Sequence, residues 1–576
     1  MMRNYKEEYQ RWLDSPALSE TEWEELNSIA DDEKEIESRF FAPLEFGTAG
    51  LRGTMKLGMH QMNVHVIRHA TQAFANVIKA EGAQAMEKGI AICFDCRNNS
   101  ELFAHEAACV MAANGIHVRI FDALRPTPEL SFAVRYYGTT AGLNITASHN
   151  PKEYNGYKVY WSDGAQLPPQ HAEAIAEQMS KIDIFNDFVT CDFEDALSSG
   201  KIELIGAETD EAYLEQVLGQ AINKSVVAKV ASEFKIVYTP FHGAGYKLVP
   251  EALHRLGITQ LFPVPEQMVI DGNFPTVESP NPENPEGFYL AVDLAKEVGS
   301  DLIIGTDPDS DRIGVMVRSS DGYKTITGNQ LGVLLLDYVI TARKAAGTLP
   351  ENAGAVKSIV TTEMAKAVAE ANGVHFEDTF TGFKFMAERI AQWESAGSYK
   401  YIFAYEESYG YMMGDYVRDK DAVTASMMVA EMAAYYYDKG MNLSQAMESL
   451  YEKYGRYAEK TLNLVMPGLD GIVKMKNLMA NLRSNPPRKI ADVEVFRIRD
   501  YSDGSITVPE LGVVGNTPIK GSNVLYFELA DGTSFIVRPS GTEPKVKVYI
   551  LCKGKDKTEC DAKIAKYSEY AESLRK

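Results

Sequence analysis

Short apolar segments alternate with longer amphipathic segments over most of the chain. The apolar segments GIAICFD and IHVRIFD are separated by a predicted helix from about Ser100 to Asn114, and a second helix precedes AGLNIT. Short buried strands joined by helices are typical of a mostly parallel β-sheet. The alternation restarts at FKIVYTPFHGAG, ending in DLIIGTDPDSDRIG, and again from about Gly328 through KSIVTT to YIFAYEESYG. The pattern predicts three comparable α/β units in succession.

The two ends of the chain depart from this alternation. Residues 4 to 40 are highly charged and helical in pattern, which predicts an N-terminal extension packed on the first unit. From about Tyr457 strands and hairpins take over, as in ADGTSFIVRPSGTEPKVKVYILC, before a closing helix. We predict an α/β protein with three similar mixed α/β-sheet domains and a smaller C-terminal α+β domain. The predicted boundaries are 1–200 for the first domain with its extension, then 201–322, 323–450 and 451–576.

Length and charge narrow the class of protein. At 576 residues the chain is longer than a single hydrophobic core usually supports, because domains usually contain about 100 to 200 residues. Its 58 Lys and Arg against 80 Asp and Glu give a formal charge of −22, which opposes binding to nucleic acid or to an anionic membrane. We expect neither as a partner. An acidic protein that binds an anionic substrate must gather its cations in a pocket.

The N-terminus and the cysteines bear on the compartment. The segment MMRNYKEEYQRWLDSP is charged throughout, and no stretch reaches the about 18 apolar residues of a membrane span. The six cysteines are sparse and irregular, so a disulfide framework is not expected. We expect a cytoplasmic protein.

The segment TASHNPKEYNGYKVY places Ser148 and His149 in a polar turn directly after the apolar strand AGLNI. Ligands tend to bind at the carboxyl ends of strands in parallel α/β sheets. The alternative is a turn whose polar side chains only satisfy backbone groups before Pro151. A hydrolase triad is disfavoured because the nucleophile elbow G-x-S-x-G is missing.

The segment GTDPDSDRIG puts Asp307, Asp309 and Asp311 at alternate positions. In a straight strand they would lie about 6.6 Å apart, too far to share an ion with ligands at about 2.1 Å. Chelation therefore requires a tight loop, and Gly305 and Pro308 are suited to break the strand. An EF-hand is excluded because arginines stand where its Gly and Glu belong. A solvated acidic turn is the alternative, but three adjacent carboxylates repel one another without a cation, which favours a metal site.

Two later segments offer hydrogen-bonding groups, one suited to sugar hydroxyls and the other to a phosphate. In YEESYG, Glu406 and Ser408 follow an apolar strand and suit vicinal sugar hydroxyls, although a solvated strand end is the plainer explanation. In RPSGTEPKVKVY, Arg538, two hydroxyls and a glycine suit a phosphate, with a simple hairpin turn as the alternative.

Two glycine-rich segments lack the features of nucleotide sites. GTAGLRG, residues 47 to 53, does not end in the G-K-[ST] of a P-loop. HGAG has Leu248 where a dinucleotide fingerprint needs its third glycine. NAD binding is therefore not expected.

Taken together and in this order, the motifs resemble the α-D-phosphohexomutase superfamily, and within it the bacterial phosphoglucomutases. The resemblance spans nearly the whole chain, because GTAGLRG, TASHNPKEYNGYKVY, GTDPDSDR, TGFKF, EESYG and RPSGTEPK fall in family order. It implies four domains around a central cleft, the first three alike and the last smaller.

The resemblance also implies roles for individual residues. Ser148 matches the phosphoserine, and with Asp307, Asp309 and Asp311 it would bind Mg²⁺. The other catalytic candidates are a general acid/base, two charge-stabilising arginines and the histidine beside the serine: Lys158, Arg52, Arg312 and His149. The substrate-binding candidates lie in the third and fourth domains: Lys384, Glu406, Ser408, Arg538, Ser540, Gly541 and Thr542.

The activity implied is that of a phosphoglucomutase, an intramolecular phosphotransferase of the isomerase class. It would interconvert glucose 1-phosphate and glucose 6-phosphate through a phosphoserine enzyme, with glucose 1,6-bisphosphate as intermediate and activator, so the partner is a small phosphosugar. Phosphomannomutase/phosphoglucomutases often have His after the Thr-Gly of the domain-three loop, whereas this chain has Phe383 and Lys384, which favours the phosphoglucomutase branch.

Four alternatives remain. A phosphopentomutase or phosphomannomutase would share the phosphate sites. A phosphoserine-using sugar phosphatase would admit water to the phosphoenzyme. A non-catalytic sugar-bisphosphate sensor is disfavoured because Ser148, Lys158 and the three aspartates are intact. The preferred sugar and the oligomeric state stay open.

Overall fold

The chain begins with three short helices in a computed structural model that describes residues 4–47, 50–466, 469–540 and 545–575. Each helix starts where an Asn, Ser or Asp side chain accepts a hydrogen bond from a backbone N–H of the first turn. They are α1 (Tyr5–Leu13), α2 (Glu20–Asn27) and α3 (Glu33–Phe40). Trp12 and Phe40 join the core that surrounds the first sheet. The helical extension expected over residues 4 to 40 is therefore present and packs on the first domain.

The first sheet has six strands in the order β1-β5-β4-β2-β3-β6. Strands β4, β2, β3 and β6 are parallel, while β5 runs antiparallel between β4 and β1. The elements are β1 (Leu51–Thr54), α4 (Val64–Ala80), α5 (Ala83–Lys88), β2 (Ile90–Phe94), α6 (Ser100–Ala113), β3 (Val118–Phe121), α7 (Thr127–Tyr137), β4 (Ala141–Ile145), β5 (Tyr154–Trp161), α8 (Pro169–Lys181), α9 (Phe193–Ser198) and β6 (Ile202–Ile205). Every residue of β2 and β4 is buried, as expected for central strands covered by helices.

The second sheet has five strands in the order β11-β10-β9-β7-β8. Strands β9, β7 and β8 are parallel, and β10 returns antiparallel to β9. The elements are α10 (Ala207–Gly219), α11 (Lys224–Val230), β7 (Lys235–Thr239), α12 (Gly245–Leu256), β8 (Gln260–Pro263), a 3₁₀ turn (Pro285–Phe288), α13 (Tyr289–Val298), β9 (Leu302–Thr306), β10 (Ile313–Ser319) and β11 (Gly322–Ile326).

The third α/β segment is built around the parallel strands β13-β12-β14. Its elements are α14 (Gly328–Ala346), β12 (Ala353–Ser358), α15 (Met364–Ala371), β13 (His375–Thr379), α16 (Phe383–Ala396) and β14 (Lys400–Glu406). The chain then forms β15 (Gly410–Met412), α17 (Ala422–Asp438) and α18 (Leu443–Tyr454). Helix α17 packs against α11 and α12 of the second segment.

The C-terminal part is an antiparallel sheet in the order β16-β23-β22-β21-β18-β19-β20, with β17 paired to β18. The elements are β16 (Arg456–Val465), α19 (Leu469–Ser484), β17 (Lys489–Ile490), β18 (Val493–Asp500), β19 (Ser505–Val508), β20 (Gly512–Asn516), β21 (Leu525–Leu529), β22 (Ser534–Pro539), β23 (Lys545–Gly554) and α20 (Lys557–Ser573). Phe527, Phe535 and Val548 form its core with Tyr567 of α20. The structure confirms the predicted class of three α/β segments followed by an α+β domain.

The described elements group into two units. The first contains Met1–Thr327 and Tyr409–Asn442, and the second contains Gly328–Ser408 and Leu443–Lys576. The serine turn and the aspartate loop lie in the first unit, and Lys384, Glu406 and Arg538 lie in the second. Among the described residues, none of the helices has the length and apolar character needed to cross a membrane.

Candidate active site

The aspartate loop, residues 307–312, connects the antiparallel neighbours β9 and β10. The carboxylate Oδ1 of Asp307 accepts the backbone N–H groups of Asp311 (3.0 Å) and Arg312 (2.9 Å), which folds the chain back on itself. The expected break at Gly305 is wrong, because β9 continues through Gly305 to Thr306. A side chain at Gly305 would come within 2.6 Å of the Phe288 ring, so this glycine serves close packing.

Two carboxylates of the loop each keep one oxygen for a further ligand. Asp309 Oδ2 accepts from Lys158 Nζ at 2.6 Å, and Asp311 Oδ2 lies 3.5 Å from the same ammonium. Asp309 Oδ1 and Asp311 Oδ1 are buried and accept no hydrogen bond from any described residue. The three aspartates are at most 1% exposed, and ligand atoms, one from each, lie within 4.8 Å of one another.

Burial of this kind excludes the solvated acidic turn and fits a hard divalent cation. Burial and repulsion by the other two aspartates raise the pKa of Asp307 well above its usual range. Burial would also raise the pKa of Asp309, but the Lys158 ammonium holds it far below its usual range. The carboxylates therefore need positive charge, and a cation would bind at the two oxygens that accept no hydrogen bond from the described residues, of which Asp311 Oδ1 lies 3.7 Å from Arg312 Nε.

Ser148 brings the turn after β4 to this loop. Its hydroxyl donates to Asp307 Oδ2 at 3.0 Å and lies 3.2 Å from His149 Nδ1. Ser148 has a φ of 54°, a left-handed conformation that costs a non-glycine residue roughly 1 kcal/mol or more. Burial and the guanidinium groups of Arg312 and Arg52 hold the pKa of His149 well below its usual range. His149 is therefore a neutral imidazole beside the serine.

Three predicted cations lie around the serine and the aspartates. Lys158 stands opposite Asn144 in the β4-β5 pairing, which aims its side chain at the loop. Burial opposes its charge, but Asp309 and Asp311 raise its pKa above the ordinary value. Arg312 Nη1 donates to Glu283 Oε1 at 3.1 Å. Arg52 Nη1 donates to Asn150 Oδ1 in the serine turn at 3.0 Å.

A further cation, Lys420, was missed by sequence reasoning. Its ammonium lies 3.2 Å from Asp311 Oδ2 and 3.1 Å from Asp419 Oδ1. Asp419 in turn accepts from the Tyr160 hydroxyl at 2.8 Å. The signal was the charged run RDKD, which stands directly before the buried helix α17. Such a run at a helix start is ordinarily solvated, so its burial could not be foreseen.

Two supports of the loop were also missed. Thr127, the first residue of α7, donates its hydroxyl to Asp309 Oδ2 at 2.8 Å. Asn144 donates to the same hydroxyl at 2.7 Å, so the threonine proton must point to Asp309. The HGAG segment, without the dinucleotide fingerprint, lies beneath the loop: a Cβ on Gly243 would come within 2.4 Å of Pro308 Cα.

The candidates of the second unit lie at the ends of its strands and helices. Glu406 is the last residue of β14, and Ser408 follows in the next turn. Glu407 between them accepts from Ser358 and Thr361, at 3.0 and 3.1 Å, which fixes this turn on β12.

The remaining candidates occupy a helix start and a hairpin. Lys384 is the second residue of α16, and burial lowers its pKa to about 8. Arg538 pairs with Lys547 across the β22-β23 hairpin, and the Ser540 N–H donates to Lys545 O at 2.8 Å. Gly541 and Thr542 lie outside the described residues.

The sequence matches four descriptions of one family in the expected order. They are "Phosphoglucomutase/phosphomannomutase, alpha/beta/alpha domain I" over residues 43–185, domain II over 211–322, domain III over 327–454, and the C-terminal domain over 481–565. The chain belongs to the phosphoglucomutase/phosphomannomutase family, and this confirms the resemblance to the phosphohexomutases.

Individual relatives indicate which activity within the family this chain has. The phosphoglucomutase of Staphylococcus aureus (strain MRSA252) is 35% identical over 539 residues, covering 93% of this chain and 94% of the relative. The phosphoglucomutase of strain N315 matches to the same extent. The protein is therefore an intramolecular phosphotransferase of the isomerase class, and these relatives support phosphoglucomutase activity over the alternatives.

Solved structures share the fold. The open form of pp63/parafusin, a phosphoglucomutase from Paramecium, has a TM-score of 0.67 and 19% identity, covering 93% of this chain and 95% of that one. A phosphoglucomutase/phosphomannomutase family protein from Burkholderia thailandensis has a TM-score of 0.63 and 18% identity, with coverages of 92% and 97%.

Proposed function

We propose that the chain interconverts glucose 1-phosphate and glucose 6-phosphate through a phosphate carried on Ser148. The observation that carries the proposal is the 3.0 Å contact between the Ser148 hydroxyl and Asp307, inside a cluster of buried carboxylates and cations. Phosphoryl transfer depends mainly on positioning and electrostatic stabilisation. A serine held among fixed charges satisfies both needs.

The side chains divide the work as follows. A hydroxyl of the sugar attacks the phosphorus of phosphorylated Ser148, a new P–O bond forms, and the bond from phosphorus to Ser148 Oγ breaks. Lys158, charged in this arrangement, gives a proton to the departing serine oxygen and takes one from the attacking hydroxyl. Return of the other phosphate of glucose 1,6-bisphosphate to Ser148 completes the isomerisation.

Charge around the serine must be balanced. Phosphoserine carries nearly two negative charges in addition to the three aspartates. Asp307, Asp309, Asp311 and the serine oxygen would hold Mg²⁺, which supplies positive charge to the phosphoryl oxygens when bound. Four cationic side chains offset the remaining negative charge and stay at the site through both half-reactions: Arg52, Arg312, Lys158 and Lys420.

The ligands bound to one structurally similar protein are consistent with this proposal. N-acetylphosphoglucosamine mutase from Aspergillus fumigatus, with a TM-score of 0.50 and 13% identity, has been solved with GlcNAc-6P and magnesium. A serine-to-alanine variant of that mutase has been solved with glucose 1,6-bisphosphate. The present chain offers oxygen ligands suited to the same metal, and we propose glucose 1,6-bisphosphate as its intermediate and activator.

We assign sugar recognition to Glu406 and Ser408, and recognition of the distal phosphate to Lys384, Arg538 and residues 540–542. A carboxylate and a hydroxyl can bind neighbouring sugar hydroxyls, while cations bind the phosphate common to all phosphosugars.

The six cysteines, all of which lie in the described part of the chain, form no disulfide, which supports a cytoplasmic location.

The test is a substrate panel with Mg²⁺ and catalytic glucose 1,6-bisphosphate. We expect glucose 1-phosphate to be converted with a higher kcat/KM than mannose 1-phosphate or ribose 1-phosphate, without release of inorganic phosphate. A preference for ribose or mannose phosphate would reassign the sugar. Stoichiometric release of inorganic phosphate would instead show a phosphatase.

A further inference from the structure

Arg97 makes an unusual set of contacts beneath the serine turn. Its side chain and that of Asp95 are completely buried. One terminal nitrogen, Nη2, donates to two backbone carbonyls at 2.6 and 2.5 Å, and the other, Nη1, donates to two more at 2.9 and 3.0 Å. The four carbonyls belong to Ser148, Asn150, Pro151 and Tyr154.

Asp95 fixes both the arginine and the residue before the turn. It follows β2, next to the end of β4, so Thr146 is its neighbour. Asp95 Oδ1 accepts the backbone N–H of Arg97 at 2.9 Å, and Asp95 Oδ2 accepts the Thr146 hydroxyl at 2.6 Å. The Thr146 oxygen then accepts the Ser148 N–H at 2.9 Å.

The result is that Ser148 is held on both sides of its Cα. Its N–H is bound through Thr146 and its C=O through Arg97, which is what a residue at a φ of 54° requires to keep that conformation. The four carbonyl oxygens are the negative ends of their peptide dipoles, and all of them face the positive charge of the guanidinium.

We propose that Arg97 and Thr146, both bound by Asp95, are positioning residues that together set the conformation of Ser148 for phosphoryl transfer. This inference rests on the proposed role of Ser148 as the phosphate carrier. Lysine cannot replace Arg97, because one ammonium cannot reproduce two nitrogens that each bridge two carbonyls. Misplacement of a reacting group by about 1 Å can cost on the order of 100-fold in rate.

The experiment compares Arg97→Lys and Thr146→Val with Arg39→Lys. Arg39 is a buried arginine of the N-terminal helices whose hydrogen bonds go to Glu25, Glu35 and the Leu57 carbonyl and not to the serine turn. Three properties are measured for each: thermal unfolding, kcat and KM for glucose 1-phosphate, and amide hydrogen exchange of the segment 146–155 in dephosphorylated protein. Thr146→Val is nearly isosteric, so it tests the inference even where Arg97→Lys does not fold.

We expect Arg97→Lys and Thr146→Val to lower kcat by about 10- to 100-fold with KM changed less than about threefold, and to speed exchange in the segment 146–155. Arg39→Lys should change only thermal stability. Unchanged exchange in both test variants, or faster exchange with wild-type kcat, would overturn the inference. The exchange result does not depend on phosphorylation, whereas absence of phosphate from Ser148 in turning-over wild type would overturn the proposed function itself.

Discussion

At the residue scale, Lys384 offers a charge that pH can remove. Burial lowers the pKa of its ammonium to about 8, although Glu388 opposes the shift. If the charged form binds a substrate phosphate, binding is intact below about pH 8 and is lost as the pH rises through that value. We expect kcat/KM to fall above about pH 8. In Lys384→Arg the charge persists to much higher pH, so this loss should disappear; a fall of the same shape in both proteins would contradict the assignment.

Glu406 tests sugar recognition separately from phosphate recognition. Glu406→Gln should cost about 1 to 3 kcal/mol of transition-state stabilisation with glucose 1-phosphate, the range for disturbing a hydrogen bond to a charged group. Arg538→Ala should weaken all phosphosugars alike. The measurement is the ratio of kcat/KM for glucose and ribose phosphates. A ratio changed by Arg538→Ala and not by Glu406→Gln would reverse the two assignments.

Thr127 tests whether the carboxylates are preset for a metal. Its hydroxyl and Lys158 both bind Asp309 Oδ2, which leaves Oδ1 available. We expect Thr127→Val to weaken Mg²⁺ binding about 10- to 100-fold in a metal titration, as is typical for groups that orient a ligand. Thr140→Val is the control, because that buried hydroxyl donates to Ala85 O, which belongs to α5. Equal Mg²⁺ affinity in both variants would remove Thr127 from this role.

At the element scale, the β9-β10 connection depends on the segment beneath it. Gly243 leaves no room for a Cβ against Pro308, so Gly243→Ala must displace the aspartate loop. We expect a loss of about 1 to 3 kcal/mol in the free energy of unfolding, together with weaker Mg²⁺ binding. Gly219→Ala, at the end of α10 with open space around it, is the matched control. Denaturant unfolding and metal titration measure both effects, and unaltered Mg²⁺ binding in Gly243→Ala would show that the loop adapts.

Local sequence patterns predicted where helices and strands lie, but they did not predict why particular residues occur within them. The helix expected from about Ser100 to Asn114 is present as α6. It could be predicted because its apolar residues and its boundaries are local features of the sequence. Gly305 was expected to end a strand, yet it lies inside β9, where the ring of Phe288 requires a glycine. That contact joins residues distant in sequence, and nothing in the local pattern reveals it.

At the scale of the whole molecule, residue types alone indicated a metal site at the three aspartates, whereas the roles of Ser148 and Lys158 were implied only by the resemblance to the phosphohexomutases. The structure brings these five residues together within one unit, and their roles stay predictions. Lys420 was not foreseen, because its position depends on the segment Tyr409–Asn442 joining the first unit after the chain has formed the third sheet. Topology of this kind is set by tertiary packing, which periodicity does not encode.

The central claim is that phosphate passes through Ser148, and a single-turnover transfer tests it most directly. The enzyme is phosphorylated with glucose 1,6-bisphosphate carrying labelled phosphate, freed of ligand, mapped by peptide analysis, and mixed with unlabelled glucose 1-phosphate and Mg²⁺. We expect the label on Ser148, and its transfer to hexose bisphosphate at least as fast as kcat. Label that stays on the protein during turnover, or that lies on another residue, would contradict the account.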